Sequence, residues 1–148
     1  AKALGGGMPI GALLATDACA RSFVPGTHAS TFGGNPLACA VALAMLEELL
    51  DHGVLEGVTR RHDLFVRAIG DTLIGRGVCS VRGSGLLLAL EIEDNAADVA
   101  RRALEAGVLV NALGERALRL SPALDIPEAD IHESIARLAR AFADVQSA

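Results

Sequence analysis

From residue 55 to the C-terminus the hydrophobic residues switch repeatedly between a helical period and a strand period, and this order constrains the fold more than any other feature. Val58, His62, Phe65, Ile69 and Leu73 recur at spacings of four, three, four and four, while Arg60, Arg61, Asp63, Arg67 and Asp71 fall between them. One apolar stripe with charges elsewhere predicts an amphipathic helix over 55–74, with His62 packed at its rim rather than acting as a ligand. Two strands follow, 78–82 and 86–92, around Gly83-Ser84-Gly85. Asn95 can cap a helix to residue 106, which Gly107 ends. Strands are predicted over 108–111 and 117–121, the second broken by Pro122. A last helix begins near Pro127, where Ile131, Ile135, Leu138, Phe142 and Val145 repeat at four, three, four and three. Under three heptads of such a stripe fit a helix lying on a sheet better than a coiled coil. The order helix-strand-strand-helix-strand-strand-helix predicts an α+β unit whose helices cover one sheet.

The first 50 or so residues read differently. An apolar run at 10–16 is expected to be a buried strand, 17–22 one or two helical turns, and 24–34 a loop rich in Gly, Ser and Thr. Asn35-Pro36 opens a helix well, since Asn offers a capping oxygen and Pro at the first helical position has no amide to leave unpaired. That helix should stop near Gly53. The boundary between the two parts therefore falls near Gly53.

Composition excludes several classes. Half of the 148 residues are hydrophobic but only 3% are aromatic, so a core of Ala, Leu and Val is expected. A net charge of −5, with short Arg pairs interleaved with acids, offers no nucleic-acid patch. No apolar run reaches the roughly 18 residues of a membrane span. Cys19, Cys39 and Cys79 are odd in number and far apart, without a C-x-x-C, so neither a disulfide framework nor a zinc site is expected. His28, His52, His62 and His132 lack ligand spacing, and no metal is expected. The charge and the cysteines suit a soluble cytoplasmic protein. The absence of an initiator Met reads as a cut end.

Three segments could carry chemistry. The first is Ala1-Lys2-Ala3-Leu4-Gly5-Gly6-Gly7-Met8-Pro9-Ile10-Gly11-Ala12. A lysine that holds an aldehyde covalently needs a fixed position and a neutral amine, and glycines let the backbone approach a flat ligand. A lysine so near a chain end is, taken alone, ordinarily solvated. The glycines lack the G-K-[S/T] of a P-loop, and Gly83-Ser84-Gly85 lacks a third glycine because position 88 is Leu. The second segment, Gly26-Thr27-His28-Ala29-Ser30-Thr31-Phe32-Gly33-Gly34-Asn35-Pro36-Leu37-Ala38, clusters hydroxyls and amides before a helix N-terminus. That suits an anion, or else a plain surface loop. The third is Ala117-Leu118-Arg119-Leu120-Ser121-Pro122-Ala123-Leu124, where Arg119 must point away from the face of Leu118 and Leu120. Its guanidinium could grip a carboxylate bidentately or pair with an acid of the fold.

Together these segments resemble class III pyridoxal-phosphate aminotransferases, most closely the acetylornithine branch, over essentially the whole chain. The resemblance implies an α/β architecture: residues 1–52 as the end of a fold type I large domain, then residues 53–148 as a C-terminal α+β small domain. It implies pyridoxal 5′-phosphate (PLP) as cofactor and Lys2 as the catalytic, cofactor-bearing lysine. It makes Thr31 a ligand of the cofactor phosphate across a homodimer interface, Ser30 a substrate contact, and Arg119 a binder of a substrate carboxylate. Asn111, in Leu109-Val110-Asn111-Ala112, is a structural or supporting residue. The implied reaction moves an amino group from N-acetylornithine to 2-oxoglutarate, in arginine biosynthesis. Ornithine, succinylornithine, 4-aminobutyrate or lysine-pathway aminotransferases share its chemistry. The acid for the pyridine nitrogen, the stacking ring, the phosphate cup and a second carboxylate-binding Arg precede the lysine in that family. The chain is therefore expected to be inactive alone. The rival from another class is a non-catalytic α+β interaction module.

Overall fold

The structure, a computed structural model, describes residues 2–143. The chain divides into two compact units, Ala1–Val54 and Leu55–Ala148.

In the first unit a 3-10 turn, Lys2–Gly5, closes with the Gly6 amide on the Ala3 carbonyl at 3.0 Å. Residues 10–16 form no strand and are almost wholly exposed, with Leu14 at 96%. The expected strand is thus corrected: an apolar run becomes a strand only when another chain segment takes its hydrogen bonds, and among the described residues the sheet lies in the second unit. A single helical turn, α1 (Asp17–Ala20), follows, capped by Thr16. Helix α2 (Pro36–Asp51) then starts as the sequence predicts, with Asn35 Oδ1 accepting from the Ala38 amide at 2.9 Å. It ends at His52 and Gly53, the glycine at φ +73°. Only Ala38 and Ala42 of α2 are buried, whereas Leu37, Leu43, Leu46 and Leu50 are exposed.

The second unit holds α3 (Glu56–Thr72), β1 (Val78–Ser84), β2 (Leu87–Ile92), α4 (Ala96–Glu105), β3 (Asn111–Leu113), β4 (Ala117–Leu120) and α5 (Glu128–Ala143). Its four strands pair antiparallel in the order β1-β2-β4-β3. β1 and β2 are joined at Gly85 and Leu86, with φ +54° at Gly85, which fits a two-residue hairpin loop carrying Gly first. Inward residues alternate along the strands: Val78, Leu88, Leu90, Ile92, Leu118 and Leu120 are buried. Against them pack Phe65, Ile69 and Leu73 from α3 and its end, Val99 and Ala103 from α4, and Ile131, Ile135, Leu138 and Phe142 from α5. The expected stripes of α3 and α5 are those faces; Val145 lies outside the described residues. His62 sits at the rim, its Nδ1 donating to the Gly85 carbonyl at 2.7 Å.

β3 starts later than the sequence suggests, and the end of α4 explains why. The Gly107 amide bonds the Leu104 carbonyl at 2.9 Å and the Val108 amide the Ala103 carbonyl at 2.8 Å. With Gly107 at φ +83° this is a Schellman closure. Val108 is thus engaged in ending the helix rather than in the sheet, and pairing begins at Asn111.

Candidate active site

Lys2 is the chain's single lysine. It is exposed, at the head of the 3-10 turn, and has φ +51°, the one positive φ outside glycine among the described residues. A side chain with a Cβ pays on the order of 1–2 kcal/mol in that region, and such strain gathers at functional positions. The glycines that follow seat the turn on α2. A Cβ on Gly5 would lie 2.7 Å from Ile10 Cγ2, and one on Gly6 3.0 Å from Met45 Sδ.

The Ser30–Thr31 loop hangs on the same helix at its other end. Asn35 uses both ends of its amide: Oδ1 caps α2, and Nδ2 donates to the Phe32 carbonyl at 2.8 Å. Met45 lies nine residues beyond Pro36, about 14 Å along the axis at 1.5 Å per residue. One rigid helix therefore carries both segments. Thr27 Oγ1 is tied to the Val24 carbonyl at 2.8 Å, whereas Ser30 and Thr31 are exposed and make no side-chain hydrogen bond among the described residues. A Cβ on Gly33 would meet Ser30 Oγ at 2.8 Å, so the loop needs glycine there to fold under the serine.

The helix itself offers an anion fewer donors than its position suggests. Pro36 has no amide, Asn35 occupies that of Ala38, and the Cys39 amide already bonds the Asn35 carbonyl at 3.0 Å. That leaves Leu37 and the helix dipole; the hydroxyls of Ser30 and Thr31 are the free donors.

Arg119 lies on β4 in the second unit, on the open face of the sheet, between buried Leu118 and Leu120. Its Nη2 donates to Asn111 Oδ1 at 3.3 Å, across the β3–β4 pairing that sets the two residues opposite each other. It borders a shallow cavity of about 330 Å³ lined also by Arg82, Ser84, Leu87, Ala89 and Leu113. Among the described residues no carboxylate pairs with it. Lys2, Ser30 and Thr31 thus belong to one unit and Arg119 to the other.

No sequence motif marks the acid on this face. Glu91 accepts from Ser80 Oγ at 3.0 Å and from Arg82 Nε at 3.1 Å. Those bonds, Ser80's first and then Arg82's, hold its carboxyl below the ordinary range. The alternation of β2, with Ala89 and Glu91 on the face opposite Leu88 and Leu90, is the signal that could have found it.

The family model for aminotransferase class III matches residues 1–142. The chain is 44% identical over 150 residues to the acetylornithine/succinyldiaminopimelate aminotransferase of Yersinia pestis, covering 98% of this chain and 37% of that protein. It is 39% identical over 146 residues to the acetylornithine aminotransferase of Methanothermobacter thermautotrophicus, with the same two coverages. The chain thus spans little more than a third of these relatives' length. Among solved structures, the acetylornithine aminotransferase of Elizabethkingia anophelis superposes with a TM-score of 0.78 at 32% identity, over 88% of this chain and 36% of that one. The ornithine aminotransferase of Toxoplasma gondii ME49 gives 0.76 at 33% identity, over 86% and 31%.

Proposed function

This chain belongs to the class III aminotransferase family, and from that membership we propose that it serves a PLP-dependent transfer of an amino group from N-acetylornithine to 2-oxoglutarate. The observation that carries the reading is the single lysine, held at positive φ ahead of a glycine turn that seats on α2. Relatives 39–44% identical and named for acetylornithine support the amino donor. Solved ornithine aminotransferases 28–33% identical support ornithine as the second reading.

The donor set fits the cofactor. An exposed primary amine can take an aldehyde, and the unpartnered Thr31 hydroxyl ahead of a capped helix can take a phosphate. PLP, when bound, supplies that aldehyde and a ring that draws electron density from a substrate's Cα. Lys2 Nζ would hold the cofactor and, once the substrate amine displaces it, would carry the proton taken from the substrate Cα to the cofactor's former aldehyde carbon. The Thr31 hydroxyl donates to the phosphate held by a second subunit, which makes the working form a homodimer, and Ser30 contacts substrate beside it. Arg119 holds a substrate carboxylate through its unpaired donors. Residues 1–52 would then end the cofactor-binding domain, and 53–148 form the small domain. No motif here supplies an acid for the ring nitrogen or a stacking ring, so the chain alone should not turn over.

The test is glutamate formation from N-acetylornithine and 2-oxoglutarate. The 148-residue chain should give none. Within the complete enzyme Lys2→Ala should abolish turnover, and Thr31→Ala should chiefly weaken cofactor retention. A Lys2→Ala enzyme of near-normal rate would overturn the assignment.

A further inference from the structure

On the open face of the sheet, Arg82 of β1 and Arg119 of β4 both stand opposite Ala89 of β2. Glu91, two residues along β2, is therefore a diagonal neighbour of each arginine. Such diagonal positions lie roughly 7–8 Å apart, within reach of long side chains. By register alone Glu91 could pair with either guanidinium. It pairs with Arg82. The residues directly opposite Glu91 explain the choice: on β1 stands Ser80, whose hydroxyl holds Oε2 at 3.0 Å, and on β4 stands Ala117, which has nothing to offer. With one oxygen on Ser80 and the other on Arg82, Glu91 is committed to the β1 side. Arg119 is drawn the other way, onto Asn111 Oδ1, a neutral acceptor that steadies the guanidinium without cancelling its charge.

We infer that Ser80 and Arg82 are positioning residues that divert Glu91 from Arg119, so that Arg119 remains open to a substrate carboxylate. The inference rests on the reading of Arg119 as a carboxylate binder. The depressed titration of Glu91, caused first by Ser80 and then by Arg82, agrees with a carboxylate fully engaged on that side. Removing Arg82 would release one oxygen of Glu91 towards the cations left nearby, Arg119 on the same face and Arg116, which lines a cavity with Glu91. An internal carboxylate at high effective concentration would then compete with any external one.

The 15N-labelled 148-residue chain can be read by NMR at the Arg119 Nε–Hε signal, identified by its loss in Arg119→Lys. In Arg82→Leu this signal should move with pH through the Glu91 titration, and in Arg82→Leu/Glu91→Gln that movement should vanish. With glutarate as probe, Arg82→Leu should weaken binding at Arg119 at least threefold. The double variant should restore it to within twofold of wild type, and Arg82→Lys should behave as wild type. An Arg119 signal in Arg82→Leu that ignores Glu91, or a glutarate affinity the second substitution does not restore, overturns the diversion. If the pH coupling appears as expected but the wild-type Arg119 signal never responds to glutarate, the diversion stands and the carboxylate role of Arg119 falls.

Discussion

Adjacent residues on β4 should respond unequally to truncation, because the proposed site depends on the two faces of that strand. Leu118 is 0% exposed and packs into the helix-covered core. Leu118→Ala deletes three buried carbons, at about 0.8 kcal/mol each some 2.4 kcal/mol in transfer alone. The cavity left behind places the total at about 2–5 kcal/mol. Arg119 is exposed, its one side-chain bond reaching an exposed asparagine, so Arg119→Ala should change stability by less than about 0.5 kcal/mol. In urea denaturation followed by circular dichroism, with m of about 2 kcal/mol/M, Leu118→Ala should lower the midpoint of the second unit's transition by roughly 1–2.5 M. Arg119→Ala should leave that midpoint almost unmoved. Comparable losses from both substitutions would mean that Arg119 is a structural residue, and the case for an open carboxylate-binding face would collapse.

Other consequences can be checked with the same protein. Asn35→Ala removes the α2 cap and the clamp on the Phe32 carbonyl; a cost of about 1 kcal/mol should appear as faster amide exchange at Ala38 and in the Ser30–Thr31 loop. Gly107→Ala forces a Cβ into φ +83°, 2.5 Å from Arg137 Nη1. It should destabilise the unit by about 1–2 kcal/mol, read as a lowered denaturation midpoint. Because Glu91 titrates below its ordinary range in the fold, its contribution to stability is present above the unfolded value and is lost as pH falls through the lower, folded one. Ser80→Ala, which deletes the largest cause, should raise the Glu91 midpoint in a carboxyl NMR titration; an unchanged midpoint would refute the hydrogen bond.

What could be read in one dimension was whatever local residues decide. The stripes of α3 and α5, the Asn35-Pro36 start of α2 and the outward set of Arg119 follow from spacing and capping chemistry, and the structure agrees with them. Residues 10–16 had the composition of a strand but no partner strand in their unit, and composition cannot supply one. At Val108, the first residue of the strand expected over 108–111, the amide closes α4 instead, a bond that periodicity does not register. The Glu91 arrangement was missed for a related reason. Which arginine an acid chooses depends on the residues opposite it in neighbouring strands, here Ser80 and Ala117, separated from it by eleven and 26 positions. Lys2, by contrast, stood out by its setting, and the structure adds its unusual backbone conformation.

The central claim is that Lys2 is the cofactor-bearing amine, and the chain's single lysine makes the test sharp. Purified chain would be mixed with PLP, scanned for absorbance, reduced with borohydride and mapped by peptide mass. The expected result is a new long-wavelength absorbance band from an imine on lysine, with the reduced adduct on Lys2 and lost in Lys2→Ala. An adduct confined to the terminal α-amine, with Lys2 left unmodified, would contradict it.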